Sequence, residues 1–559
     1  METYSLKITD YTIIIAFLLF YLVIGLYYAL SGGKQRTIKE WSIGDGEIHW
    51  FPVSMSIFAS FVSGISMIAL PAFVYANGYL YVFTVSSCFV ILPLTAWVFV
   101  PFYRSLNTIS MFTYFEKRFN NKVKIITMVI FIINILTYLG VVVYIPALTL
   151  SVITDVSFSQ AIIVVGIICS IYTALGGIKA VVLTDTIQAL IFIFGIVSLP
   201  LIATWEIGFK NVIRINSAAH MFDTYFSFAA YDQNSIFAIF VGGFILYFGL
   251  VTSNQVQFQR FVSIHSDRGA KKAVYLSNCL FAVYLILVTY LGLVAYAYFA
   301  ICDPVETKRI TRKDAVIPFL AIQLMGKTTG YIGIFISAIF SGTLSSVSSG
   351  VSSISSIIVY NALPNIWNGL SAKSELFKSS LAKILSLVCG ILVILNSFVI
   401  NMYKEQILSI CMLQFGLFNS PILGLLTLGM FFPKAGAFSA FGGLLTSLIV
   451  NFTILVLKQL LPLNLPKSKY IVNNNCSISN YSEYSSYIDE HISYTFAPSS
   501  DSYIYNNIIG MSNYWHNIIG VGLVIIVGYL LSLLESNTSD FQSSKLIFRK
   551  KAVIVQSEI

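Results

Sequence analysis

The chain is poor in charge. Only 10% of its 559 residues are Asp, Glu, Lys or Arg, against about 25% in soluble domains. With 57% hydrophobic residues and a mean hydropathy of +0.82, it lacks the polar side chains to cover a water-facing surface. Hydrophobic runs recur along nearly the whole length, which argues against a string of soluble domains and for one integral membrane domain. Cysteine is sparse as well. Five of the seven (Cys88, Cys169, Cys279, Cys389, Cys411) fall inside apolar runs, and no pair has metal-ligand spacing. Cys302 and Cys476 lie in polar loops, where they could bridge or remain two thiols. Histidine is scarce, and His49, His220, His265, His491 and His516 all fall in loops or at span ends. None shares a helix face with a second His or a carboxylate at ligand spacing, as an embedded hydrolase or metalloprotease would require. The chain therefore reads as a non-enzyme. It also has no phosphate-cradling glycine loop and no basic-aromatic pattern for nucleic acid. Lysines and arginines of cytoplasmic loops beside anionic lipid account for the net charge of +9.

What is present is apolar length. A spanning helix needs about 20 residues. Thirteen runs approach that length, at 11–30, 50–76, 79–101, 125–151, 159–176, 183–205, 235–257, 273–299, 328–361, 381–401, 406–432, 436–457 and 514–534. The first lacks a basic stretch before it and a small-residue cleavage site after it, so it reads as a span rather than a signal peptide. With the N-terminus outside, 21 of the 33 lysines and arginines fall on the inner side, four of them in loop 258–272. That bias predicts an external N-terminus and a cytoplasmic C-terminus. Lys308, Arg309, Arg312 and Lys313 run against it. The same topology makes the long polar insertion 458–513 extracellular, where Asn475 and Asn480 head glycosylation tripeptides, and leaves Asn537 cytoplasmic and unmodified.

Three segments could carry chemistry. Asp185 is the one acidic residue well inside an apolar span. A lone carboxylate in hydrocarbon costs about 2.5–3.5 kcal/mol on insertion scales, so it either sits at headgroup level or lines a cation path. The ninth span holds the hydroxyl-rich run Ser341 to Ser356. Small residues at that density serve helix packing, yet Gly342 precedes Ser345 and Ser346 by three and four residues, which puts its carbonyl and both hydroxyls on one helix face. Neutral oxygens of that kind can replace the water shell of a monovalent cation. The second span, with Ser54, Ser56, Ser60, Ser63, Gly64 and Ser66 before Pro71, is either a kinked packing helix or a discontinuous one of the sort that transporters use for ions and substrate.

Several segments in order match a known family. These are Phe58–Phe61 with Ser63, Pro101–Arg104, Tyr114–Phe119, Tyr138 through Pro146–Leu148, Tyr172–Ala180 with Thr184–Asp185, Asn254–Arg260, Ser341–Ser345 and Leu428–Met430. Over about residues 10–457 the chain resembles the sodium/solute symporter family, in its branch of monocarboxylate, multivitamin and iodide transporters. The resemblance implies an all-α integral membrane fold of about thirteen helices with a LeuT-like core of five-plus-five inverted repeats. Repeat one would occupy 50–205 and repeat two 235–432. Around them stand an external N-terminus, first span and cytoplasmic loop (1–49), an extracellular loop (206–234), a twelfth span (433–457), an extracellular loop (458–513), a thirteenth span (514–534) and a cytoplasmic tail (535–559).

It further implies a sodium site made of the backbone carbonyls of Ala59, Val62 and Gly342 and the hydroxyls of Ser345 and Ser346, with Asp185 on the sodium path to the cytoplasm. Substrate-facing residues would be Phe61, Ser63, Ser66, Tyr138 and Leu250, with Val85 and Cys88 on the next helix. The iodide transporter has glutamines at the positions of Ser66 and Cys88, and sugar transporters have several polar groups at those of Tyr247, Leu250 and Val251. Neither set is present here. No basic residue lies in the expected core, so bound sodium and helix N-termini would have to balance a carboxylate. The expectation is a plasma-membrane symporter that couples sodium to uptake of a small organic anion by alternating access, its partners that solute and the lipid bilayer. A non-transporting sodium-dependent sensor or conductance on the same scaffold, or a symporter for iodide or another solute, is the alternative.

Overall fold

The computed structural model describes residues 6–30, 37–154, 156–224, 226, 228, 235–326, 328–367, 369–370, 372–402, 406–460 and 511–535. Among them the chain is helical, with no strands beyond one isolated bridge between Ile48 and Ile264. The apolar elements are α1 (Ile8–Leu30), α2 (Trp50–Phe61), α3 (Gly64–Asn77), α4 (Tyr79–Ser105), α5 (Asn121–Ile153), α6 (Phe158–Ile207), α7 (Ala238–Thr252), α8 (Gln255–Ser263), α9 (Asp267–Phe299), α10 (Tyr331–Ile366), α11 (Glu375–Asn401), α12 (Ile407–Phe431), α13 (Ala437–Leu460) and α14 (Asn513–Ser532). They correspond to the thirteen expected spans, with two of these divided and two joined. The predicted spans 159–176 and 183–205 are the arms of α6, which turns at Gly177 (φ 67, ψ 167), a backbone shape open to glycine and costly for other residues. Asn475, Asn480 and Asn537, Cys476 and most of the 458–513 loop lie outside the described residues. Cys302 is disulfide-bonded.

Two spans are broken. α2 ends at Phe61, and α3 starts at Gly64 at an angle of 49°. Val62 (φ −97, ψ 97) and Ser63 (φ −100, ψ 170) between them are extended. The predicted span 235–257 likewise breaks at Ser253 and Asn254 and resumes as α8, bent by 51°. The Asn254 side chain caps the new helix by accepting from the Val256 N–H at 2.9 Å. The two broken spans run in opposite directions. Ile48, just before α2, donates its N–H to the Ser263 carbonyl at the end of α8 at 3.0 Å, and the His265 N–H returns to the Ile48 carbonyl at 3.4 Å.

The last turn of α4 and the segment that follows it fix the two ends of α8. Arg104 donates to the carbonyls of Phe261 (3.0 Å), Ile264 (2.6 Å) and His265 (3.3 Å) and pairs with Asp267. Gln255 is held at its other end by the Met111 N–H and the Ile109 carbonyl, both at 2.8 Å. Arg118 does the same for α12, donating to the carbonyls of Gly429 (3.0 Å), Phe432 (3.0 Å) and Pro433 (3.2 Å). A helix C-terminus leaves carbonyls without partners and carries partial negative charge, so an arginine there satisfies both. Motifs that look like loop sequence thus hold two cavity-lining spans in place.

Candidate functional site

The site starts where α10 touches the break between α2 and α3. Two glycines permit the contact. A Cβ on Gly342 would stand 2.9 Å from the Gly64 nitrogen and 3.0 Å from the Ser63 carbonyl carbon, and one on Gly64 would stand 2.8 Å from the Thr343 hydroxyl. Backbones therefore meet with no side chain between them. Ending α2 at Phe61 frees the carbonyls of Ala59 to Val62 from intrahelical partners, while the Phe58 carbonyl still accepts from the Val62 N–H at 3.0 Å. A narrow gap between α2, α6 and α10 is bordered by Ala59, Val62 and Gly342 together with Phe58, Gln188 and Phe192. Among the described residues the hydroxyls of Ser345 and Ser346, 0% and 4% exposed, meet no partner in hydrogen-bond geometry, although Ser346 lies close to the Tyr138 hydroxyl. A buried polar group left unpaired costs about 1–3 kcal/mol, so two neighbouring orphan hydroxyls one turn along α10 from Gly342 suit a small cation better than a closed core. The ligand set expected from the sequence, these hydroxyls with the carbonyls of Ala59, Val62 and Gly342, is all oxygen and uncharged, as an alkali-metal ion would require. We expect Gly342→Ala to fold poorly or to weaken sodium activation severalfold, because the new methyl meets backbone that cannot give way; sodium activation curves on surface-normalised protein check this.

Asp185 lies in the second arm of α6 and is fully buried in the protein. Its Oδ2 accepts from the Ser56 hydroxyl at 2.5 Å and from the Arg260 guanidinium at 3.1 Å. Arg260, 2% exposed, also donates to the hydroxyls of Ser56 (2.8 Å) and Ser349 (2.6 Å) and to the Val256 carbonyl (3.1 Å). The expectation that the core holds no basic residue is therefore wrong. Arg260 belongs to the buried half-helix α8 and not to a cytoplasmic loop, because the span continues past its break. The positive bias of the inner loops survives its removal. Four elements (α2, α6, α8 and α10) converge on this pair, and Asp185 Oδ1 is left with no partner. The Ser345 hydroxyl lies close to the carboxylate without meeting it in hydrogen-bond geometry.

Beside the gap is a cavity of about 110 Å³. Phe61, Ser63, Ser66, Tyr138 and Leu250 all line it, as does Ser346. Val85 and Cys88 do not. Cys88 is buried close to Tyr81 and Tyr247, which form the wall in its place. Sequence reasoning missed those two tyrosines, and also Asn254 and Gln257 from the second break, which line the same cavity. The second break coincides with the point where an apolar run gives way to the polar stretch Ser253-Asn-Gln.

Among the described residues, a helical membrane fold with two opposed broken spans, both lining one buried cavity, has the architecture of a secondary transporter. The comparisons with known proteins agree. Residues 41–447 match the sodium:solute symporter family. The chain is 32% identical over 463 residues to the human sodium-coupled monocarboxylate transporter 2, covering 82% of this chain and 74% of that one. It is 30% identical over 549 residues to the mouse sodium-coupled monocarboxylate transporter 1, covering 95% and 87%, and 30% identical over 455 residues to the rabbit sodium-dependent multivitamin transporter, covering 81% and 71%. Its fold is shared with a Na+-coupled sialic acid symporter solved in a substrate-bound, outward-open state (TM-score 0.75, 20% identity, 95% of this chain and 98% of that one). The chain belongs to the sodium:solute symporter family. It is a multi-pass membrane protein that moves a small solute with sodium as its coupling ion.

Proposed function

We propose that the protein imports a small organic anion, a monocarboxylate or a vitamin-like acid, across the plasma membrane by alternating access. The observation that carries the reading is the pair of orphan hydroxyls at Ser345 and Ser346 beside the break in the first broken span. Sodium would be held by these two groups and the carbonyls of Ala59, Val62 and Gly342. Ser346 also lines the solute cavity, so a cation there would complete one wall of the substrate site. Coupling then follows from differential affinity, with sodium favouring the state that binds solute best. Asp185, with its free oxygen near Ser345, would receive sodium on its way to the cytoplasm.

Phe61, Ser63, Ser66, Tyr138 and Leu250 would contact the solute, with Val85 and Cys88 one layer behind. The cavity lining contains no charged residue, which suits an anion balanced by co-bound sodium. Relatives named for monocarboxylate and multivitamin transport support the same class. Residues 50–205 and 235–432 would be the two inverted repeats, each opening on a broken span. The N-terminus would be extracellular, Asn475 and Asn480 glycosylated and the C-terminus cytoplasmic. In cells expressing the protein, we expect radiolabelled lactate, nicotinate, biotin or pantothenate to accumulate against its gradient in sodium medium and not in choline medium. Accumulation of iodide or glucose instead would reject the substrate class; currents without accumulation of any solute would reject solute symport.

A further inference from the structure

We propose that the hydroxyl pair of Tyr81 and Tyr247 supplies the hydrogen-bond donor that selects solutes bearing a carboxylate. The proposal rests on the organic-anion reading and names the group that would recognise the anion. A carboxylate is acceptor-only and must be met by donors. Two of the cavity hydroxyls have already committed theirs. The Ser60 hydroxyl donates to the Ser56 carbonyl and the Ser66 hydroxyl to the Ser63 carbonyl, both at 2.8 Å. The Asn254 oxygen accepts from its own helix and the Ser349 hydroxyl accepts from Arg260, roles that leave the protons of both side chains open. Arg260 itself is spent on Asp185, Ser56 and Ser349 and does not line the cavity.

Tyr81 and Tyr247 are set apart by acting as a bonded pair. Both line the cavity, 3% and 8% exposed, and their hydroxyls are hydrogen-bonded to each other. In such a pair one proton lies between the oxygens and the second has no listener within the pair, so one phenolic donor remains for a ligand without breaking the bond. Edge-on contacts hold both rings: Tyr81 against Phe73 with centroids 6.0 Å apart, and Tyr247 against Phe281 at 5.2 Å. That packing holds both rings in place in a buried site, where hydrogen bonds to charge gain strength. Tyr81 stands at the start of α4 and Tyr247 in α7. The donor is thus assembled only when the two elements lie together. A site built around such a donor rejects solutes that cannot use it far better than an apolar pocket does.

The test uses the full-length protein in oocytes. Wild type is measured first with a carboxylate and its neutral amide, nicotinate and nicotinamide for example. Failure of wild type to move any carboxylate overturns the organic-anion reading, and this proposal with it, before any variant is read. Given carboxylate uptake, Tyr81→Phe combined with Tyr247→Phe should raise the carboxylate KM by about ten-fold, the loss of one hydrogen bond to a charged group. It should narrow the preference for acid over amide and leave half-saturating sodium of the substrate-free charge movements as in wild type. The single variants, which keep one hydroxyl, should show smaller shifts and carry the test if the double variant fails to reach the surface. An unchanged KM would overturn the proposal. So would a KM rise matched by the amide and by sodium, which would make the pair a tie between helices only.

Discussion

Replacing Ser345 and Ser346 together with alanine should raise the sodium concentration for half-maximal uptake by at least about ten-fold while the protein still reaches the cell surface. The two halves of that expectation have one physical source. Both hydroxyls are buried without partners, so the fold gains nothing from them, and removing an unsatisfied polar group is neutral or stabilising. A bound cation, by contrast, would lose two of five oxygens. At about 1.5–3 kcal/mol for a contact between a charge and a neutral group, loss of even one is worth a factor of ten or more. Sodium activation curves beside surface biotinylation separate the outcomes. A double variant with wild-type sodium activation would remove the site proposed here, and one that never leaves the cell would show that the hydroxyls serve packing.

Arg260→Ala should be among the most damaging single changes in the chain. It leaves Asp185 charged, fully buried and short of its counter-ion, a situation that costs about 3–5 kcal/mol, a large share of ordinary fold stability. Asp185→Asn should be damaging for the mirror reason. The informative variant is the double, Asp185→Asn with Arg260→Gln, which removes both charges while keeping hydrogen-bonding side chains. Its thermal stability in detergent should recover most of what either single change loses, because the charges are coupled. Transport should not recover, since the path proposed for sodium runs past Asp185. If the single losses add in the double variant, the two residues do not form a pair in the folded protein. Wild-type transport by the double variant would instead leave the pair structural and dismiss Asp185 from the sodium path.

The pair also shows where local reading of the chain fails. Gln255-Val-Gln-Phe-Gln-Arg-Phe-Val-Ser263 is polar enough to look like the start of a cytoplasmic loop. Nothing nearby in sequence announces its burial. Arg260 is buried because Ser56, Asp185 and Ser349, separated from it by 204, 75 and 89 positions, close around it. Tyr81 and Tyr247 are 166 positions apart, so their bond was equally hidden, and the resemblance pointed instead to Cys88, which stands behind them. The first break was easier to see. Ser63-Gly64 ahead of Pro71 in a hydroxyl-rich span is a local signal, and it left only the choice between kinked and discontinuous helix.

The sequence alone determined that the chain lives in a bilayer, how many apolar segments it has and roughly where they end, because burial in hydrocarbon is a property of each run by itself. It also placed small residues at Gly64 and Gly342, without which two backbones could not touch. Only the tertiary structure decided which oxygens face one another, that a second span breaks and continues, and that a buried arginine answers the buried aspartate. Those are relations between distant segments, set by packing and charge compensation across the fold, and no local pattern of residues encodes them.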